Sequence, residues 1–504
     1  MATSKGVDSM KEKKPFSSDL NENTKIIEHL FANCVDLVIQ PYGYGKEQQS
    51  RALVLYFETL VQDQSINFLK SALQDLVTHE VGPAAAVTPQ DVIKFFSRHG
   101  VSEHSTHQIE LFNQLEQHLL MGNVVVLFDE WDRALSYSAM SIKTRPVGES
   151  TNEPVVIGPH ESTVENMQTN LGLLRTRLRS AKFKVVKRSA GGEARTEFAY
   201  CYLDGSVDPE TLTEFISRLE DVQNREIMET TFIEEFIEDS TYSPFPQFRF
   251  TERPDTAIAS VLDGKIIVLT EGSPSIMICP GLFTEFFSSS EDYYERTVYA
   301  SLIRVIRIIA FFMALTLPSI YIALTTFHPE LIPTVLLLAI LDTREGIPFP
   351  AFVEAIIMEF FFEVLREAGV RLPRPVGSAV SIVGALVIGQ AAIQAKIASP
   401  IMVIVVALTG IASFSIPQYH LAIALRILRF PFMILAATLG GFGLMIGFLL
   451  TLLHLTTLRS LGQPYLAPLT PLRIKQLRDT FIRAPLKMLL RTPRNRHQHK
   501  TPRN

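Results

Sequence analysis

The chain has 504 residues, of which 47 % are hydrophobic and 20 % charged, and a formal net charge of −5. That length accommodates two or three domains of roughly 150 residues each. Three scattered cysteines, Cys34, Cys201 and Cys279, argue against a disulfide framework or a CxxC metal site and suit a soluble part in a reducing compartment.

Met1 to Pro15 is polar and lysine-bearing without an apolar core, so it is no signal peptide, and residues 1–20 are expected to be disordered. An α/β subdomain is expected over 21–115. Arg51 to Thr59 is β-branched and aromatic and predicts a strand. Ile66, Leu69, Leu73 and Leu76 have helical spacing, and Thr88-Pro89 is a helix start. A break near His104 to Met121 separates a second α/β subdomain, 121–295. It opens with the strand Asn123 to Phe128 (NVVVLF). Ser162 to Glu165 has the form of a capping box, followed by Val164, Met167, Leu171, Leu174 and Leu178 on one helix face. Phe183 to Lys187 and Thr196 to Leu203 predict strands. Asp208-Pro209 predicts a helix start, with Leu212, Phe215, Ile216 and Leu219 facing inward. Lys265 to Thr270 and Ser275 to Cys279 predict a hairpin.

From Leu302 to Leu458 the composition changes to Ile, Leu, Val, Ala, Phe and Gly. A bilayer core needs roughly 20 mostly apolar helical residues. Ile308 to Phe327, Val376 to Ile397, Ile401 to Ile416 and Pro431 to Leu455 qualify, which predicts an all-α multi-pass transmembrane domain over 300–458. Gly440, Gly443 and Gly447 form a small-residue stripe suited to helix packing. Between the first two spans, Leu331 to Leu341 is short and apolar, and Phe352 to Arg371 carries Glu354, Glu359, Glu363 and Glu367. Glu359, Glu363 and Glu367 share a helix face. Ionisable groups at membrane depth are costly and usually face a bundle interior or a watery path. Glu354, Glu359 and Glu363 are therefore candidate pore-lining residues. Glu363 with Arg366 and Glu367 with Arg371 also have the spacing of simple helical ion pairs.

The tail, 459–504, is basic, with Arg473, Lys475, Arg478, Arg483, Lys487 and Arg491 among others against Asp479 alone. With Arg296, Arg304 and Arg307 ahead of the first span, it predicts that both ends are cytoplasmic and that the number of crossings is even, four or six. The tail suits an anionic lipid leaflet better than nucleic acid.

Nothing in the pattern is enzymatic. There is no GxxxxGK[ST] loop, dinucleotide fingerprint, HExxH or GxSxG, so no catalytic, cofactor or metal residue is assigned. His104, His107 and His118 read as solvated positions and Asp129, Glu130 and Asp132 as a charged turn. Ser378, Ser381, Ser413, His420 and His454 give only a weak case for a membrane hydrolase.

Several long motifs resemble the GerA-type spore germination proteins. They include Pro348 to Glu354, Met358-Glu359, and Glu363 through Arg366 and Gly369 to Pro373. Ser290 to Tyr294, Phe327 to Leu331 and Gly462 to Pro468 also match, as do Ser243 to Gln247, Thr251 to Asp255, Glu165-Asn166 with Asn170, and Leu174 to Arg177. Together they span about Asn21 to Pro471, and Ile157 and Thr163 depart from the pattern. The resemblance implies the A subunit of a germinant receptor in the spore inner membrane, working with a permease-like B subunit and a lipoprotein C subunit. It implies self-association into an oligomeric, ligand-gated cation channel. A non-conducting scaffold or accessory protein that clusters germination complexes is the alternative.

Overall fold

Runs of Val, Ile and Leu between turns build two five-stranded sheets. The computed structural model describes residues 14–44, 50–61, 66–67, 106–140, 153–372, 374–472 and 477–489, with 374–383, 478 and 489 as backbone alone. The described chain divides into two compact units. One comprises residues up to Ile237 together with Phe250–Cys279, and the other comprises Glu238–Arg249 and the chain from Pro280 onward.

In the first unit, one sheet contains β1 (Leu37–Tyr44), β2 (Ser50–Phe57), β3 (Thr106–Ile109), β4 (Asn123–Phe128) and β5 (Ala134–Ser138), in the order β1-β2-β4-β5-β3. Its helices α1 (Leu20–Leu30) and α2 (Phe112–Leu120) contribute Ile27, Leu115 and Leu119 to the buried core that holds Val54, Phe57, Val125 and Leu127. β4 thus corrects the expected partition. Asn123–Phe128 was assigned to the second subdomain, but it pairs with β2 at Val54↔Val126 and with β5 at Val126↔Leu135. Only a tight turn joins α2 to β4, so this strand returns directly to the sheet that α2 covers. The helix expected from Ile66 to Leu76, the Thr88-Pro89 start and His104 fall largely outside the described residues.

The second sheet has the order β6-β7-β9-β10-β8, from β6 (Phe183–Ala190), β7 (Thr196–Leu203), β8 (Arg249–Thr251), β9 (Ile266–Thr270) and β10 (Ile276–Cys279). With it go α3 (Met167–Arg177), α4 (Pro209–Val222), α5 (Thr230–Ile237) and α6 (Pro254–Leu262). Asp208 caps α4, accepting a hydrogen bond from the Thr211 N–H, with Pro209 at the first helical position. Phe215 and Leu219 are buried, whereas Leu212 and Ile216 are half-buried. Helix α3 begins later than its apparent capping box. The Thr163 N–H and hydroxyl both bond to the Glu252 carbonyl, and Asn170 occupies the backbone of Val164. These contacts hold 162–165 outside the helix, and Asn166 caps it instead by accepting from the Thr169 N–H.

One fully buried ion pair joins the two subdomains. Arg175 on α3 meets Asp36, just before β1, in a bidentate contact of 2.7 and 2.8 Å, and both side chains are 0 % exposed. The guanidinium lies 4.7 Å from the Phe57 ring and 5.0 Å from the Phe183 ring, one from each sheet. Burial alone would depress the Arg175 pKa, but the Asp36 charge and its hydrogen bonds outweigh that and raise it. Nearby Cys34 is buried, and so are Cys201 and Cys279. Burial raises all three thiols, and none forms a disulfide.

The β6–β7 turn is closed by Glu226, whose carboxylate accepts from the N–H groups of Gly192, Glu193 and Ala194 at 2.9, 3.0 and 3.2 Å. Those donors depress its pKa. The contribution is therefore present above the ordinary glutamate value of about 4.3 and is lost as pH falls through the lower folded value. Glu226→Gln is expected to lower the melting temperature at neutral pH, with the gap closing below about pH 4. A gap unchanged by pH would show that the charge is not what closes the turn.

The second unit is helical: α7 (Thr297–Thr326), α8 (Thr334–Arg344), α9 (Ala351–Arg371), α10 (Arg374–Gln394), α11 (Pro400–Phe414) and α12 (Tyr419–Thr457). Two of these, α7 and α12, are long and apolar enough to cross a membrane, while α11 and residues 384–394 are apolar but shorter. Segment 238–249 belongs with this unit. The Ser460 hydroxyl donates to the Gln247 carbonyl at 2.7 Å, the Tyr465 hydroxyl to the Pro246 carbonyl at 2.7 Å, and the Leu461 N–H to Asp239 at 2.7 Å.

Candidate functional site

Helix α9 brings the acidic residues to the interior of the helical unit. Pro348 and Pro350 break the chain ahead of it, and Ala351, Ala355 and Met358 pack it against its neighbours. Glu354 is fully buried. It accepts the Ser399 N–H at 2.8 Å and lies 3.0 Å from Arg344 of α8. Ser399 in turn caps α11 by accepting from the Met402 N–H. The Glu354 charge therefore sits at the positive end of α11, where a carboxylate is favoured. One and a half turns later Glu359, also fully buried, meets Arg429 of α12 at 2.5 Å. Arg429 also donates through Nε to the Ala314 carbonyl of α7 at 2.8 Å, so this pair fastens three helices together. Glu363 contacts Arg366 on its own helix and lies 3.6 Å from Arg426 of α12. Glu367 pairs with Arg371 near the surface.

Glu354, Glu359 and Glu363 are thus brought to one helix, as their spacing requires, and each has an arginine partner. Arg366, at i,i+3 from Glu363, is visible in the sequence. Arg344, Arg426 and Arg429 are not, because they come from other helices. The one local sign of Arg426 and Arg429 is their position just ahead of the apolar stretch Pro431 to Leu455.

The glycines act at a fold in α12. Gly440 has φ 61° and ψ −139°, which ends one helical arm and starts a second. The arms, 419–439 and 441–457, lie against each other, with the Phe432 and Phe448 rings 5.3 Å apart. Gly443 abuts the Leu435 backbone, and a Cβ at Gly447 would lie 3.1 Å from the Phe432 ring. The expected span Pro431 to Leu455 therefore contains a reversal, because Gly440 alone in the segment adopts a backbone conformation reserved for glycine. The Gly441 N–H, first of the second arm, donates to His328 Nε2 at 3.2 Å. This places the fold beside the end of α7. At the opposite end, Arg483 of the tail donates to Thr297 at 2.7 Å, and Arg304 contacts Asp292 and Asp479. The start of α7 and the described tail thus share one end of the helical unit.

Gly440→Ala is expected to cost about 1–3 kcal/mol for the strained backbone, with a further clash where its Cβ would come 2.8 Å from the Phe327 side chain. A thermal melt in detergent measures it, and an unchanged midpoint would contradict the fold at Gly440.

The remaining candidates are dispersed. The Ser413 hydroxyl donates to the Gly410 carbonyl of its own helix, and the side chains of Ser378 and Ser381 lie outside the described residues. His454 pairs with Ser243 at 2.8 Å and holds 238–249 against the helices. His118 sits against Ser136 and Asn123, with His107 across from it at 6.0 Å between ring centroids. Asp129 bonds Arg51 at 3.0 Å, as a charged turn would. Among the described residues no group of three or more His, Cys, Asp or Glu is placed to hold a metal.

Comparison with known proteins adds an independent finding. A family model described as Bacillus/Clostridium GerA spore germination protein matches residues 25–495. The chain is 40 % identical to Spore germination protein KA of Bacillus subtilis (strain 168), over 89 % of this chain and 81 % of that protein. It is 38 % identical to the uncharacterized membrane protein YfkQ of the same organism, over 95 % of this chain and 92 % of that one. A solved structure, the N-terminal domain of the A subunit of the Bacillus megaterium spore germinant receptor GerK3, aligns at 23 % identity. It covers 54 % of this chain and 98 % of its own, with a TM-score of 0.43.

Proposed function

This chain belongs to the Bacillus/Clostridium GerA spore germination protein family, and on that premise we propose that it is the A-type membrane subunit of a spore germinant receptor. In this reading it sits in the spore inner membrane with its N-terminal unit and tail on the core side. Its partners are a permease-like B subunit and a lipoprotein C subunit. Nutrient capture by a partner shifts an oligomer of this chain from closed to open, and cations leave the core.

The observation that carries the reading is α9, a helix with Glu354, Glu359 and Glu363 set among apolar helices and balanced by arginines from α8 and α12. Charges are kept at such depth where they serve a path or a switch. With α12 folded at Gly440, the segments α7, α9, α10, α11 and the two arms of α12 make six passes. That even number supports both ends lying on one side, and the hydrogen bond from Arg483 to Thr297 supports the same reading.

The same ion pairs favour a second reading, a non-conducting scaffold. A carboxylate neutralised by arginine and walled off from water lines no pore unless the pair opens. Flux from vesicles reconstituted with the partner subunits separates the two. Glu363→Gln is expected to change cation flux or selectivity on nutrient addition. Unaltered flux would favour the scaffold. Gentle crosslinking of the purified chain is expected to yield a discrete ring of several subunits, and a monomer would remove the self-assembled pore.

A further inference from the structure

Around the middle of α9 and of the first arm of α12 the charges do not balance. Arg366, Arg426 and Arg429 surround Glu359 and Glu363, three guanidiniums against two carboxylates. The cluster holds unused donors and, at Glu359 Oε1 and Glu363 Oε1, unused acceptors. Arg429 is 1 % exposed and its Nη2 has no hydrogen-bond partner, and Arg366 Nε has none either. A buried guanidinium N–H left unpaired is costly, so an acceptor from outside the chain is favoured there. Arg366 and Arg426 are 12 % and 14 % exposed and give the cluster an opening on the flank of the unit. Exposed Phe360, Val364, Tyr419 and Ile427 lie on the same two helices and present apolar surface.

We propose that Arg366, Arg426 and Arg429 form a binding site for one phosphate-type oxyanion, the group carried by an anionic lipid headgroup or by free phosphate. Guanidinium forks match phosphate oxygens geometrically. Basic recesses between membrane helices on the cytoplasmic side recognise lipid phosphates. The oxyanion supplies the missing negative charge, and the apolar flank accommodates acyl chains. The lipid source rests on the reading of α9 and α12 as membrane helices.

The test uses the full chain. Alkaline carbonate extraction of reconstituted vesicles first reports whether the protein is embedded. Delipidated protein is then offered phosphatidylglycerol or phosphatidylcholine, with and without inorganic phosphate, and retained lipid is read by native mass spectrometry. Phosphatidylglycerol is expected to be retained roughly tenfold or more over phosphatidylcholine, and Arg366→Gln with Arg426→Gln should abolish the preference. Arg366→Lys with Arg426→Lys should restore part of it, which a merely structural role would not do. Where the double Gln variant does not fold, Arg366→Gln alone serves. Equal retention of the two lipids without a phosphate-induced rise in melting temperature overturns the site. So does a preference that survives in the Gln variants. Arginine-dependent stabilisation by phosphate without lipid preference keeps the oxyanion site and removes the lipid. Protein stripped by carbonate overturns the membrane reading instead, and the phosphate arm then decides the cluster by itself.

Discussion

Replacing Asp36 with alanine is expected to destabilise the N-terminal unit by about 3–5 kcal/mol, the range for breaking one side of a buried ion pair. The reason is the charge that remains. Arg175 is fully buried between Phe57 and Phe183, and without Asp36 its guanidinium has no anion. Trp131, the chain's single tryptophan, packs 5.9 Å from Phe128 and reports unfolding of the first sheet by fluorescence. The double variant Asp36→Leu with Arg175→Met removes both charges and is expected to recover most of the loss, since apolar replacement of a buried pair is often neutral. A single variant as stable as the parent would mean that the two sheets are held by packing alone.

Replacing Arg429 with alanine is expected to be as severe for the helical unit, again about 3–5 kcal/mol. It strands Glu359, which is 0 % exposed, and releases the Ala314 carbonyl of α7. Helical signal on heating in detergent measures the loss. Glu359→Gln keeps an acceptor for Arg429 and is expected to cost less. If the pair also holds a closed state, Arg429→Ala assemblies should leak ions without nutrient, whereas a tight and equally stable variant would refute both roles.

Much of the layout was legible locally. The Asp208-Pro209 start, the Thr196–Leu203 strand and the β9–β10 hairpin are written in short patterns, because caps and strand composition act over a few residues, although Phe198 to Tyr202 is buried without alternation. The capping box at Ser162 misled for the opposite reason. Thr163 and Asn170 found partners distant in sequence or in loop backbone, and a local motif holds only where nothing stronger competes. The strand NVVVLF is legible in the sequence but its neighbours are not, since an apolar run states that it is buried without stating beside what.

By itself, the sequence determined the two-part build, the extended motifs of the germination family and the gathering of Glu354, Glu359 and Glu363 on one helix. Each of these depends on composition or on spacing within one element. Only the tertiary structure decided which cation answers each carboxylate. Glu359 and Arg429 are separated by 70 residues, and Asp36 and Arg175 by 139. It also decided that the glycine stripe serves a fold within α12, because glycine permits the backbone conformation at Gly440 while the packing of the two arms selects it. Spacing along a helix places charges on a face, but the pairing that neutralises them depends on which helices the fold brings alongside.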